Sequence, residues 1–320
     1  MSLKVRPYSD IDADLWDEFN EKSLQGTLLH NRSFLSYHGE RFVDQSLIVY
    51  DEDKCVGLFP AAFSVSDFTE VVSHPGATYG GIVHCGGLCG ERMVEALSVI
   101  QLHYRKQGLK KLTYKTVPTF YHKAPSQDDL YALYRIGAKR VRCDLSTTID
   151  LCNRLTPSQR RRRSLKKAVK ANIEIVKGSH YIEFLWGILN KNLEKKHSVN
   201  PVHKLDEILL LSKLFPLNIS CVCAQLNGDV IAGVLFFITE TTYHAQYIAS
   251  NEKGHKLSAL DAIFDNSISF AGAENKRWFD FGISTERQGN FLNNGLYNFK
   301  TEFGGGGFVH EFYEVDLMKN

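Results

Sequence analysis

Apolar and polar positions fall into short runs whose order repeats along the chain. In the first half, 46–50 and 54–65 read as strands across the turn Asp51-Glu52-Asp53, and 74–81 is a loop carrying Gly76, Gly80 and Gly81. A helix at 90–107, a strand at 110–116, a short helix at 128–136 and a strand at 138–150 follow. In the second half, 218–226 and 230–239 flank Asn227-Gly228-Asp229, a hairpin signal because these turn residues accept positive φ. A strand at 242–250, a helix at 257–273, a strand at 277–281, a short helix at 293–302 and a strand at 308–316 complete it. Both halves thus read strand, turn, strand, glycine-bearing loop, long helix, strand, short helix, strand, which predicts an internal duplication. Two amphipathic helices at 180–197 and 203–214 open the second copy. The expected fold class is α/β (α+β), with two tandem units at 1–152 and 153–320, each a mixed central sheet flanked by helices.

Length agrees with that division, since 320 residues exceed what one core usually sustains. With 43% hydrophobic and 12% aromatic residues the chain has the composition of a folded globular protein. No window approaches the ~18 apolar residues of a membrane span, and the first ten residues carry no apolar signal core, so a cytoplasmic protein without an integral membrane segment is expected. Seven cysteines at irregular spacing argue for reduced thiols. Cys85 and Cys89 beside His84, and the pair Cys221 and Cys223, lack a second ligand pair at zinc spacing, so no metal is expected.

The net charge of +2 hides an asymmetry, because nine basic residues between Arg154 and Lys177 face one acid, Glu174. That segment carries +8 and the remainder −6. Thr156 as N-cap, Pro157 at the first helical position and Gln159 as the far side of a capping box predict a helix to about Ala171. Leu165, Ala168 and Val169 form its narrow apolar strip. Such a helix is either a solvated bridge between the two units or a binder of phosphate groups. Nothing in the chain looks like a duplex reader, so DNA is not an expected partner.

Candidate chemistry concentrates at 278–304. Trp278-Phe279-Asp280-Phe281-Gly282 reads as a strand, and the short helix after it carries Leu296, Phe299 and Phe303 at i, i+3 and i+7, an expected buried stripe. Tyr297 and Lys300 lie beside that stripe, facing a cleft, and the run from Gly304 to Gly307 stops the helix. The order Asp280-Phe281-Gly282, loop, Asn298-Phe299-Lys300, Phe303-Gly304-Gly305 resembles the last third of Fem-type acyltransferases, which belong to the GNAT superfamily. The basic run 159–175 resembles the helix that opens the second half of Fem-type proteins. In the first half, Leu29-His30-Asn31-Arg32-Ser33-Phe34-Leu35 and Tyr79-Gly80-Gly81 are similar to the substrate-side elements of that family.

The resemblance implies two tandem GNAT-like units, a degenerate first one on the substrate side and a second one holding donor and catalysis. In such units two central strands splay, an acyl thioester lies in the gap, and an amine attacks it directly. The splayed pair is expected at 230–239 and 242–250, with Val234, Leu235, Ile248 and Ser250 along acyl-CoA. Gly254, His255, Lys256, Leu257 and Ser258 then stand where the family cradles a pyrophosphate at a helix N-terminus, although only Gly254 matches the usual phosphate loop. Lys300 is expected at the oxyanion or leaving group, Asp280 at amine deprotonation and Tyr247 at acceptor orientation, with Tyr297 close by. His30, Arg32, Tyr79, Gly80, Arg162, Arg163, Lys166 and Phe299 are expected on the acceptor. His244, a lone histidine in a strand, reads as structural.

The implied activity is transfer of an acyl group from acyl-CoA to an amine on a phosphate-bearing small-molecule or lipid-linked precursor of the cell envelope, a polysaccharide, lipid or peptidoglycan. A peptidoglycan aminoacyltransferase using charged tRNA is the alternative within the family. A catalytically inactive duplicate acting as a binding or scaffold subunit is the alternative outside it.

Overall fold

The computed structural model describes residues 2–196, 201 and 203–319. The chain divides into two compact units, one of residues 1–144, 287–290 and 309–320, the other of 145–286 and 291–308. The division falls at 144/145, not 152/153, and the chain's last segment belongs to the first unit.

In chain order the first unit holds β1 (Lys4–Pro7), α1 (Ala13–Lys22), α2 (Arg32–Ser36), β2 (Leu47–Asp51), β3 (Lys54–Phe59), β4 (Ala62–Phe63), β5 (Glu70–Val72), α3 (Glu91–Lys106), β6 (Lys111–Lys115) and α4 (Asp128–Arg135). The strand β7 (Lys139–Asp150) follows. Pro60 separates β3 from β4, so the expected single strand at 54–65 is two, because proline cannot donate to a ladder. β1, β2 and β3 form an antiparallel sheet. β4, β5, β6 and the end of the last strand form another, in which only β5 and β6 run parallel. Their parallel pairing is short, Glu70 to Lys111, Val71 to Leu112 and Val72 to Thr113. α3 buries Met93, Ala96, Leu97, Ile100 and Tyr104 against this core, the i, i+3, i+4 face that its sequence encodes.

The second unit holds α5 (Gln159–Lys170), β8 (Glu174–Lys177), α6 (Ile182–Lys196), α7 (Leu205–Leu214), β9 (Ile219–Leu226), β10 (Asp229–Ile238), β11 (Thr242–Ser250), α8 (Glu252–Leu257), α9 (Ala259–Ala273), β12 (Trp278–Ile283), β13 (Thr285–Glu286), β14 (Phe291–Leu292) and α10 (Asn294–Thr301). β15 (Gly306–Asp316) ends the chain's regular structure. The expected helix end at residue 197 lies outside the described residues. Asn227 and Gly228 both adopt positive φ, 54° and 84°, in the hairpin between β9 and β10. The sheet order is β7, β12, β11, β10, β9, β8, with β11 and β12 its parallel pair. Phe236, Phe264, Phe279, Phe281 and Phe303 fill the core beneath α9.

The splayed pair is not the expected one. β10 pairs with β11 from Ala232 to Ile238 and with β9 on its other edge, so Val234 and Leu235 are buried inside a continuous sheet and line no gap. The strands that part are β11 and β12. They pair only at Thr242 with Trp278, Tyr243 with Phe279 and His244 with Asp280, after which β11 runs on to Ser250. Two irregularities sit at the parting. Leu235 faces Tyr247 while Phe236 faces Ala245, which leaves Gln246 as a bulge in β11, and β12 shifts register against β7 between Asp280 and Ile283, where Gly282 has φ 75°. Bulges re-aim side chains and end pairing, the two things an opening needs.

α5 also starts later than expected. Ser158 is its N-cap, accepting from the Arg161 amide, and the buried face is Arg161 with Ala168, whereas Val169 is 67% exposed. Arg161 donates to Asp261 at 2.8 Å and to Glu302 at 2.9 Å, with its guanidinium 4.7 Å over the Phe299 ring. An arginine thus takes the core-facing place the sequence reading gave to valine, because two carboxylates and an aromatic face meet its charge.

Candidate active site

Where β11 and β12 part, the sequence puts polar residues into otherwise apolar strands. Asp280 has no solvent exposure. A buried carboxylate is tolerated only when its oxygens are met, and here Ser146 donates to Oδ1 at 2.5 Å, Thr148 donates to the same oxygen at 2.8 Å, and His244 Nδ1 lies 2.6 Å from Oδ2. Ser146 and Thr148 share a face of β7 because strand side chains alternate. His244 Nε2 lies 3.0 Å from Oε1 of Gln246, the bulged residue. The result is an ordered row from the two hydroxyls through carboxylate and imidazole to an amide at the mouth of the gap.

Lys300 belongs to the same end of the unit but is no rim residue. It is buried, and its ammonium donates to the carbonyls of Gly282 at 2.8 Å and Ile283 at 2.7 Å. Burial pushes its pKa down to about 8, and the Asp280 charge opposes that shift. It holds the distorted end of β12 with two of its three donors. Leu296, expected in the buried stripe, is 39% exposed. Phe299, half-buried, packs on Phe264 and Phe303 beneath Arg161, a platform for that guanidinium. Tyr297 is half-buried, with its hydroxyl in the space that Gly307 leaves by lacking a Cβ.

Tyr247 points to the other side. Its hydroxyl is held by His203, 2.5 Å from Nδ1, its ring meets Trp186 edge-on at 4.9 Å, and burial raises its pKa to about 12. It braces β11. The stretch expected to cradle pyrophosphate is a short helix, α8, with Asn251 capping the Gly254 amide. Gly254 is demanded by packing, since a Cβ there would lie 2.4 Å from both the Ile231 carbonyl and Ser250 Oγ. Ser250 is buried, Ile248 and Leu257 are half-buried, His255 and Lys256 are exposed, and Ser258 breaks α8 from α9 with φ 60°. Beside this turn a cavity of about 710 Å³ opens between α6 and Asn251, Glu252 and Lys253.

The first-half candidates are internal framework. His30 is fully buried, with Nε2 3.2 Å from the Gly80 carbonyl, and burial lowers its pKa to about 4. Tyr79 donates to Thr27 at 3.0 Å. Arg32 pairs with Asp44 and lies 3.6 Å over the Tyr8 ring. A Cβ on Gly80 would come within 1.9 Å of the Ser73 carbonyl. Of the acceptor candidates, Arg162, Arg163 and Lys166 are exposed on α5. Sequence reasoning missed Ser146, Thr148, His244 and Gln246. A signal was present at Ser146 and Thr148 in β7 and at His244 and Gln246 in β11, two pairs of polar residues each two positions apart on a strand.

The acetyltransferase (GNAT) domain family matches residues 156–300. No curated protein matches the chain by sequence. Among solved structures, FemX aligns over 98% of this chain and 97% of its own at 10% identity and TM-score 0.69. The C-terminal domain (DUF2156) of a putative lysylphosphatidylglycerol synthetase from Agrobacterium fabrum aligns over 96% and 92% at 11% identity and TM-score 0.63. A tandem GNAT protein from the clavulanic acid biosynthesis pathway aligns over the full length of both chains at 10% identity and TM-score 0.52. The chain therefore has the fold of Fem-like proteins, two tandem GNAT-like units, and its residues 156–300 match an acetyltransferase (GNAT) domain.

Proposed function

We propose that the second unit transfers an acyl group from acyl-CoA to an amine on a phosphate-bearing cell-envelope precursor, by direct attack of the amine on the acyl carbon. The observation that carries this reading is the parting of β11 from β12 beside Asp280, His244 and Lys300. A phosphate-bearing acceptor is supported by the exposed Arg162, Arg163, Lys166, Lys167 and Lys170 on α5. An envelope precursor is supported by the likeness to FemX and to the lysylphosphatidylglycerol synthetase domain. For the donor we place the apolar arm of acyl-CoA along the cavity beside α8, where Phe184 and Ile188 are apolar and Lys191 and Lys253 meet phosphate.

The same cavity favours a second reading, an aminoacyl donor carried by tRNA. Glu183, Glu194 and Glu252 also line it, and three carboxylates suit the ammonium of an aminoacyl group better than a pyrophosphate. Thermal-shift titration of the purified protein with acetyl-CoA, longer acyl-CoAs and charged tRNA separates the readings. A ligand that binds only the folded state stabilises it by about 2.7 kcal/mol at a hundred times its Kd. Saturable stabilisation by a thioester is the expected result. Stabilisation by charged tRNA alone moves the assignment to the aminoacyl reading, and a response to neither leaves a binding or scaffold role.

A further inference from the structure

Any aminolysis at this gap has to remove a proton from the attacking amine, and the unit offers few groups to take it. Asp280 does not reach the amine, since it is wholly buried with Oδ1 receiving two hydroxyls and Oδ2 against His244. Lys300 is committed as a donor to the carbonyls of Gly282 and Ile283. Tyr247 is turned away and held by His203. A group set at the parting itself is His244, at the last residue of β11 that pairs with β12, whose far nitrogen meets Gln246.

We propose that His244 is the general base of the transfer, that Asp280, fixed by Ser146 and Thr148, positions it, and that Gln246 is its partner in both proton states. The proposal rests on the acyl-transfer reading above. A carboxylate at Nδ1 accepts, so the proton of the neutral ring sits on Nδ1 and the lone pair on Nε2. Gln246 then serves both states. As placed, its oxygen faces Nε2 and accepts from the imidazolium, and with the side-chain amide turned its NH2 donates to the lone pair of the neutral ring. The bulge that displaces Gln246 from the ladder is what sets its amide beside Nε2.

In the step itself, the amine nitrogen forms a bond to the acyl carbon and its proton passes to His244 Nε2. The bond from the acyl carbon to the thioester sulfur then breaks, its electron pair leaving on sulfur. The imidazolium returns the proton to that thiolate. The products are an amide and a thiol, and the histidine ends neutral.

Two measurements on the full chain test this. In the first, ¹⁵N-histidine spectra of the parent protein and of Asp280→Asn and Gln246→Met report the tautomer of His244. The Nδ1–H form is expected in the parent and in Gln246→Met, with that preference lost in Asp280→Asn. An Nε2–H ring in the parent, or a tautomer indifferent to Asp280→Asn, overturns the proposal. In the second, acetyl-CoA is the donor, and the acceptors are ethylamine, protonated at neutral pH, and hydroxylamine, largely unprotonated there. His244→Gln is expected to slow transfer to ethylamine by about 10²- to 10⁴-fold and transfer to hydroxylamine by a clearly smaller factor, because ethylammonium must lose one proton before attack and a second during it, whereas hydroxylamine loses only the second. Equal losses with both amines assign His244 a structural role and overturn the proposal. No transfer by the parent to either amine counts against the acyl-transfer reading with this donor, and the spectra then decide the base assignment alone.

Discussion

Among the described residues each unit has one parallel strand pair of three residue pairs, and the two pairs end differently. Beyond Val72 and Thr113 in the first unit, the chain closes its own opening. Ser73 donates to the Thr113 carbonyl at 2.9 Å, the Lys115 amide donates to Ser73 Oγ at 2.7 Å, and Gly80 donates back to the Lys115 carbonyl at 3.0 Å. The buried Lys115 ammonium donates to the carbonyls of His74 and Ala77 and ties the loop down. Beyond His244 and Asp280 in the second unit, by contrast, side chains stand at the parting and the lysine that braces it comes from α10. The first opening is filled by backbone and a buried lysine, whereas the second is lined by an acid, an imidazole and an ammonium, groups suited to proton and charge transfer. This difference is what supports proposing the chemistry for the second unit rather than the first.

The most forceful way to break the comparison is to force the plug open. Gly80→Ala sets a Cβ 1.9 Å from a backbone carbonyl that cannot swing aside, so a loss of more than about 3 kcal/mol is expected on chemical denaturation. Gly282, at the opening of the second unit, meets nothing closer than 3.5 Å. Gly282→Ala is therefore expected to lose only the about 1–2 kcal/mol of an alanine at positive φ. Similar losses in the two variants would show that the first gap is no more tightly filled than the second.

The two buried lysines sharpen it next. Lys300→Met is expected to lower turnover by about two to three orders of magnitude, while Lys115→Met leaves turnover within about twofold and loses about 1–3 kcal/mol of stability as two carbonyls lose their donor. Their pH dependence has a definite sign. Burial lowers the Lys115 pKa from 10.5 to about 7, so between those values the unfolded chain holds a proton the folded one has released, and stability rises with pH across that window. Lys300 adds a rise between about 8 and 10.5. Melting curves of Lys115→Met should lack the part of the rise that begins near pH 7, and an unchanged slope there would mean that Lys115 does not titrate as a buried group.

Much of this was legible in the sequence where the signal is local. The Asn227-Gly228 turn needs only its own backbone, and the helix expected at 90–107 is α3 at Glu91–Lys106. What was not legible is set by partners far away. Nothing near 230–250 says which neighbour β11 leaves, because that depends on where α8 and α9 return the chain as β12. Asp280 was read as the group that deprotonates the amine because its partners Ser146 and Thr148 lie 134 and 132 residues away and could not be seen. His244 looked isolated for the same reason. Lys300 was placed by helical periodicity beside the apolar stripe, but its long stem carries the charge inward to two carbonyls, and periodicity fixes a Cβ and not the end of a side chain.

The smallest effect on stability is expected on α5, where one helix holds both kinds of arginine. Arg161 is 6% exposed and joins Asp261 to Glu302, so Arg161→Met strands two carboxylates and should lose about 3–5 kcal/mol. Arg162 and Arg163 are exposed, and replacing both with glutamine is expected to change stability by about 0.5 kcal/mol or less. If these two cations meet the acceptor's phosphates, the double variant raises the acceptor KM and flattens its salt dependence, because each lost contact removes part of a screened attraction. Donor KM and kcat stay as in the parent, since neither arginine adjoins the β11–β12 parting. An acceptor KM that is unchanged at low salt would return α5 to the role of a solvated helix pinned by Arg161, and phosphate recognition would have to be sought elsewhere in the second unit.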